Sequence, residues 1–259
     1  MRRFERYVAI GDSTVEGLDD PDGRGGYRGW ANRLAERIAR EQGGLQYANL
    51  AVRGRTTREV LDEQLEPALA MRPDLAAVVA GTNDILRPSF DPDGVARDIE
   101  RMQRALIGAG ATVFSFTLPD LTPVMPLARP LRERIRAFAR ALVEASARSG
   151  ATVIDFTAHP VASDPRLWSE DRLHANSLGH ARIADALAHA LSLPGAGPEW
   201  AAALPERPRR GLYRALGAEF LWSRRFLLPW LWRHSRGLSS GDGCRPKRPH
   251  LEPLTLPDE

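Results

Sequence analysis

The chain has almost none of the residues that covalent or metal cross-linking needs. Of 259 residues only Cys244 is cysteine, which excludes an intrachain disulfide and cannot alone build a cysteine-based zinc site. There is no His-Glu-x-x-His or paired-cysteine spacing and no Gly-Lys-Ser/Thr phosphate loop, so neither a metal nor a nucleotide cofactor is expected. The run Gly23-Arg24-Gly25-Gly26-Tyr27-Arg28-Gly29 has the wrong glycine spacing for a nucleotide loop and does not immediately follow a strand. Lysine is equally scarce: Lys247 is the only one, and the rest of the basic charge is arginine, a pattern read as coding bias before nucleic-acid binding. No apolar run approaches the roughly 18 residues of a membrane span. Arg2, Arg3 and Arg6 are followed by too few apolar residues before Asp12 to make a secretory signal. The expected setting is the cytoplasm, with a small molecule rather than a nucleic acid as partner.

What is present is ordinary for a globular core: 43% hydrophobic and 27% charged residues, enough apolar material to bury. The net charge of +3 is uneven. From Pro205 onward ten arginines and Lys247 face six acidic residues, so the basic character belongs to the C-terminal part.

Up to about Leu193 the chain alternates short apolar runs with amphipathic segments. Candidate strands are Tyr7–Ile10, Gln46–Ala51, Leu75–Ala80, Thr112–Thr117 and Thr152–Phe156, each bounded by Gly, Pro or Asp as buried parallel strands are. Helical spacing links Trp30, Leu34 and Ile38, then Val60, Leu61, Leu65 and Leu69 up to Pro73. It recurs in Val95, Ile99, Met102 and Leu106, and in Leu131, Ile135, Phe138 and Leu142 behind Pro130. A last set is Leu178, Ile183, Leu187 and Leu191, with Asn176 or Ser177 as N-cap. Such alternation predicts a parallel sheet with helices on both faces. The Pro194–Pro198 break closes this region, giving a domain over 1–194 and an extension over 195–259.

Four short motifs lie beyond the carboxyl ends of predicted strands: Gly11-Asp12-Ser13, Asn49 to Gly54, Gly81-Thr82-Asn83-Asp84, and Asp171-Arg172-Leu173-His174. In an open parallel sheet those loops share one rim, where chemistry collects. A serine hydroxyl is a poor nucleophile until a base takes its proton. His174 suits that task if a carboxylate fixes its tautomer, and Asp171 stands three residues away. The oxyanion formed by attack on a carbonyl needs preorganised donors. Ser13 N–H, the Gly54 N–H and the uncharged Asn83 amide are candidates. Asp12 and Asp84 are read as loop-holding carboxylates.

In order and spacing the set resembles the SGNH-hydrolase superfamily, or GDSL-type esterases, with Thr14 where that nickname has Leu. The resemblance implies a three-layer α/β/α, flavodoxin-like fold with a five-stranded parallel sheet in the order 2-1-3-4-5. It also implies cleavage of carboxylic esters, among which thioesters, acetylated sugars and lysophospholipids are open. An alternative is a non-catalytic binding or scaffolding module on the same fold; fluorophosphonate labelling of Ser13 separates the two.

The remaining segments give softer expectations. Thr14–Gly29, with Glu16, Asp19, Asp20 and Asp22, reads as an acidic flexible flap beside Ser13, and Leu118–Pro130 as a semi-rigid loop on the same rim. His159 reads as a surface-loop residue, His180 and His189 as structural. Residues 211–236 mix Trp222, Trp230 and Trp232 with Arg214, Arg224, Arg225, Arg233 and Arg236. They suit either a peripheral membrane or protein contact or a helix docked on its own domain; Pro229, which interrupts a long surface helix, favours the docked form. From Ser239 on, an extended or poorly ordered tail is expected.

Overall fold

In the computed structural model the described residues are 3–206, 217, 219–229, 232, 236 and 239–254. Arg214, Trp230 and Arg233 lie outside them. The five expected strands are present as β1 (Arg6–Gly11), β2 (Gln46–Asn49), β3 (Leu75–Val79), β4 (Thr112–Phe116) and β5 (Thr152–Ile154). They pair in parallel in the expected order 2-1-3-4-5. The sheet has one more strand than expected. β6 (Arg248–Pro253) runs antiparallel along β2, so the stretch read as an extended tail is part of the sheet. Its two prolines, Pro249 and Pro253, hid it, because proline is tolerated only where a strand needs no inner ladder bonds, and β6 sits at the edge.

Alternation along β1 separates two apolar layers. Tyr7 and Ala9 join one core with Trp30, Leu34 and Ile38 of α2 (Gly29–Gln42) and Leu187 of α7 (Ser177–Ala190). Val8 and Ile10 face the other, built from Val60 of α3 (Thr57–Ala70), Ile99 and Met102 of α5 (Pro92–Gly108) and Phe138 of α6 (Arg132–Ser149). This is the three-layer architecture. Two short helices, α1 (Ser13–Glu16) and α4 (Thr82–Ile85), sit on the rim directly after β1 and β3. Among the described residues no helix is long and apolar enough to cross a membrane.

The flap expectation changes. Thr14–Glu16 is helical, Glu16 and Asp20 are buried, and Asp20 accepts from Gly29 N–H and pairs with Arg33 at 2.7 Å. These acids are internal anchors; their partners are far along the chain, which a local reading of charge cannot see. Helical residues 219–229 dock through buried Trp222, while Phe220, Leu221, Leu228 and Trp232 stay exposed.

Candidate active site

The serine is placed by its neighbours. At Gly11, where β1 ends, φ is +155° and a side chain would run into the Val79 carbonyl and the Val15 side chain, so only glycine lets β1 turn there. Buried Gln64 fixes the turn, accepting from Gly11 N–H at 2.8 Å and donating to Gly11 O at 2.9 Å. Asp12 caps α1 by accepting from Thr14 N–H at 2.9 Å. Ser13 therefore opens the first helical turn, where backbone N–H groups have no intrahelical acceptor.

The histidine comes from a self-contained loop before α7. Trp168 and Ala175 form a bridge across its base, and Ser169 N–H reaches His174 O at 2.8 Å. The two oxygens of Asp171 divide the work. Oδ1 accepts from Leu173 N–H at 2.9 Å, His174 N–H at 3.0 Å and Ser169 O–H at 2.6 Å. Oδ2 meets His174 Nδ1 at 2.6 Å. A carboxylate only accepts, so Nδ1 carries the proton and Nε2 is left as the acceptor facing Ser13 Oγ at 2.8 Å. Asn176 caps α7, accepting from Leu178 and Gly179 N–H at 3.0 Å each, and holds the loop by donating to Arg166 O and Trp168 O.

The opposite side of the rim is assembled from distant pieces. Gly54, at φ +76°, follows Arg53, whose N–H donates to Glu16 at 2.9 Å and whose guanidinium pairs with the same carboxylate. Asn83, in α4, donates through its amide to Arg55 O at 3.0 Å, leaving its second N–H hydrogen for another acceptor. Asp84 accepts from Thr57 N–H at 2.9 Å and Thr57 O–H at 3.0 Å, tying α4 to the start of α3. Of the sequence-selected residues, Ser13, His174 and Asp171 are linked directly, Asn83 is tied to Arg55 beside Gly54, and Asp12 and Asp84 are engaged with backbone.

Electrostatics follow from burial and partners. Burial pulls the Asp171 carboxyl upward, but the hydrogen bond and charge of His174 outweigh it and hold it well below the usual range. His174 is driven down by burial and up more strongly by Asp171 and Asp19, ending above the ordinary imidazole value. Burial raises Asp12 to about 6, against the Thr14 bonds, and raises Asp84 as well. His180, buried and lowered to about 4 by desolvation, accepts from Trp30 N–H at 3.1 Å and donates to Leu18 O at 2.9 Å, so it is a neutral tie between helices.

Asp19 is the residue that pattern reading missed. In a left-handed conformation at φ +64°, it brings Oδ2 to 3.9 Å from His174 Nδ1. Asp19, Asp171 and His174 have ligand atoms within 4.8 Å of one another, but Nδ1 is already committed to Asp171. Beside His174 and Thr14 opens an apolar pocket walled by Leu18, Phe116, Val161, Leu167 and Trp200. His159 lies behind it, its ring 4.5 Å from Trp200.

Residues 9–182 match the model of the GDSL-like lipase/acylhydrolase family. The chain belongs to that family. It is accordingly an enzyme of the carboxylic ester hydrolase class. No curated protein matches the sequence at a significant level. Among solved structures, TesA superposes with a TM-score of 0.60 at 22% identity, covering 72% of this chain and 98% of its own. An acetyl-xylooligosaccharide esterase from Geobacillus gives 0.57 at 19%, covering 74% and 96%. A lipase/acylhydrolase from Enterococcus faecalis gives 0.58 at 21%, covering 79% and 100%. At these identities the likeness is one of fold.

Proposed function

We propose that this esterase works through a covalent acyl-enzyme on Ser13. The observation that carries the reading is the unbroken chain from Ser13 Oγ through His174 to Asp171, at 2.8 and 2.6 Å. Ser13 Oγ attacks the ester carbonyl carbon while His174 Nε2 takes its proton, and Asp171 stabilises the resulting imidazolium. The carbonyl oxygen, now anionic, is met by Ser13 N–H, Gly54 N–H and the free amide hydrogen of Asn83. Collapse breaks the carbon–oxygen bond to the alcohol, which leaves with the proton from His174. Water then attacks the acyl-enzyme with His174 as base, releasing the acid and regenerating Ser13.

The pocket beside His174 supports an acyl group with a hydrocarbon chain rather than acetyl on a sugar. The leaving group must exit and water must enter, so an apolar wall suits the group that stays through both steps. In this reading residues 1–194 carry the chemistry, and the described stretches 219–229 and 239–254 of the extension pack against them.

Ser13→Ala tests the mechanism. Turnover of p-nitrophenyl butyrate should fall by about 10⁶-fold with an unchanged far-UV spectrum, and fluorophosphonate labelling should vanish. Retained turnover or labelling sinks the assignment. Rates across p-nitrophenyl esters should rise from acetate to butyrate or hexanoate; a maximum at acetate removes the hydrocarbon reading while leaving the mechanism.

A further inference from the structure

The family match ends at residue 182. TesA and the Geobacillus esterase, matched over 98% and 96% of their own chains, account for 72% and 74% of this one. A large part of the molecule therefore has no counterpart in them. Two described stretches beyond the match, 219–229 and 239–254, return to the catalytic rim at three places.

The first place is the loop that carries the histidine. The buried indole of Trp222 donates its N–H to Asp171 O at 3.2 Å. Arg172, between Asp171 and His174, lies over the Trp222 ring at 4.8 Å and pairs with both oxygens of Glu219 at 2.7 Å. Its φ is +63°, a conformation that a side chain disfavours and that surrounding contacts must impose. The grip is thus applied where the loop is least content by itself.

The second place is Gly54. Any side chain there would collide with Ser239 Oγ, and Ser240 Oγ and Gly241 N stand close behind. Gly241 in turn lies flat on the Arg53 carbonyl, with no room for a β-carbon. The third is Lys247, whose ammonium donates to Glu16 O at 2.6 Å, Tyr27 O at 2.9 Å and Arg28 O at 2.9 Å. Glu16 is the residue whose carboxylate holds Arg53. One ammonium thereby fastens 239–254, a strap across the rim, to α1 and to the loop behind it, while β6 fastens its far end to β2.

We infer that this C-terminal segment is a positioning part of the active site. Trp222, acting through Arg172, fixes where Asp171 stands, and Ser239–Gly241, held down by Lys247, fix where Gly54 N–H stands. The inference rests on the esterase reading of the rim. Neither stretch touches substrate; each removes freedom from a loop whose donors must be preorganised, and a misplacement of about 1 Å at such a site costs roughly a hundredfold in rate.

Two variants of the full chain separate the two contacts, and both are compared with wild type on p-nitrophenyl butyrate and in fluorophosphonate labelling. Trp222→Ala should lower kcat about tenfold with KM within about twofold, and should move the acid limb of the pH profile to lower pH, because the imidazolium loses its well-placed carboxylate. Trp222→Phe keeps a ring under Arg172 and should recover part of the loss. Gly241→Ala, which lifts the strap from Gly54, should lower kcat by a similar factor but leave the acid limb where it was. Wild-type kcat in both, or losses that only follow the unfolded fraction in a thermal melt with the pH profile unmoved, overturns the inference. A wild-type chain that neither labels nor turns over overturns the esterase reading itself and the inference with it, a different result from active wild type with silent variants.

Discussion

The two sides of the catalytic rim are held in different ways. The side proposed for acid–base work is local: Asp171 and His174 are three residues apart, and Asp171 Oδ1 collects two N–H groups and a hydroxyl from its own loop. The side proposed to hold the oxyanion is collective. Gly54 depends on Glu16, 38 residues earlier than itself by number, and on the strap at Ser239–Gly241, while Asn83 depends on Arg55 and on the Asp84–Thr57 tie. The mostly local unit feels distant changes only through the one outside grip on it, that of Trp222 and Glu219. A collective one transmits distant changes into the site. Substitutions far from Ser13 should therefore act mainly on oxyanion stabilisation, while the acid–base pair yields only to changes within its own loop or to what presses on it.

The sharpest way to break the local side is Asp171→Asn. The loop bonds to Oδ1 survive, but an amide facing Nδ1 favours the wrong imidazole tautomer, and kcat should fall by about 10⁴-fold; a loss under tenfold ends the orienting role. On the collective side, Asn83→Ala removes one donor and should cost about 10²–10³-fold in kcat with little change in KM, measured on the same ester. Glu16→Gln leaves an acceptor for Arg53 N–H but cancels the ion pair, and about a tenfold loss in kcat is expected, equivalent to about 1.4 kcal/mol. If Glu16→Gln leaves kcat intact, the oxyanion side is less collective than its contacts suggest.

The smallest expected effect is a shift rather than a loss. His174 is held above the ordinary imidazole value by Asp171 and, at longer range, by Asp19. Catalysis needs the neutral ring, so kcat/KM should fall as pH drops through that raised value. Asp19→Asn removes a negative charge near the imidazolium, disfavours it, and should move the acid limb downward by a fraction of a pH unit. An unmoved limb removes Asp19 from the groups that raise the His174 value. Stability carries the opposite sign: because folding raises the His174 value, its contribution is complete below the unfolded value and disappears as pH climbs through the folded one.

The five parallel strands were legible because each is a short apolar run ended by a residue that breaks it, and the rim residues because Ser13, Gly54 and Asn83 follow strands within a few residues while Asp171 and His174 stand just ahead of α7. The contacts that hold them were not. Trp222 finds a backbone carbonyl 51 positions away, and no side-chain pattern announces a carbonyl. Asp19 and Glu16 sat in a stretch whose acids looked solvent-facing, and only the fold brings Arg53 to Glu16 and His174 to Asp19. β6 was concealed by its own prolines, tolerable because it is the edge strand among the described residues. Local chemistry is written locally, whereas support from elsewhere in the chain needs the folded coordinates of both partners.

Lys247 has a practical consequence. It is the chain's only lysine, burial lowers its ammonium to about 8, and three carbonyls enclose it. Amine-reactive reagents meet one lysine in this protein besides the N-terminal amine, and that lysine is engaged by three carbonyls while 239–254 stays docked. The rate at which Lys247 acquires a tag is therefore a built-in gauge of how often that stretch lifts, readable from the mass of the peptide that contains Lys247.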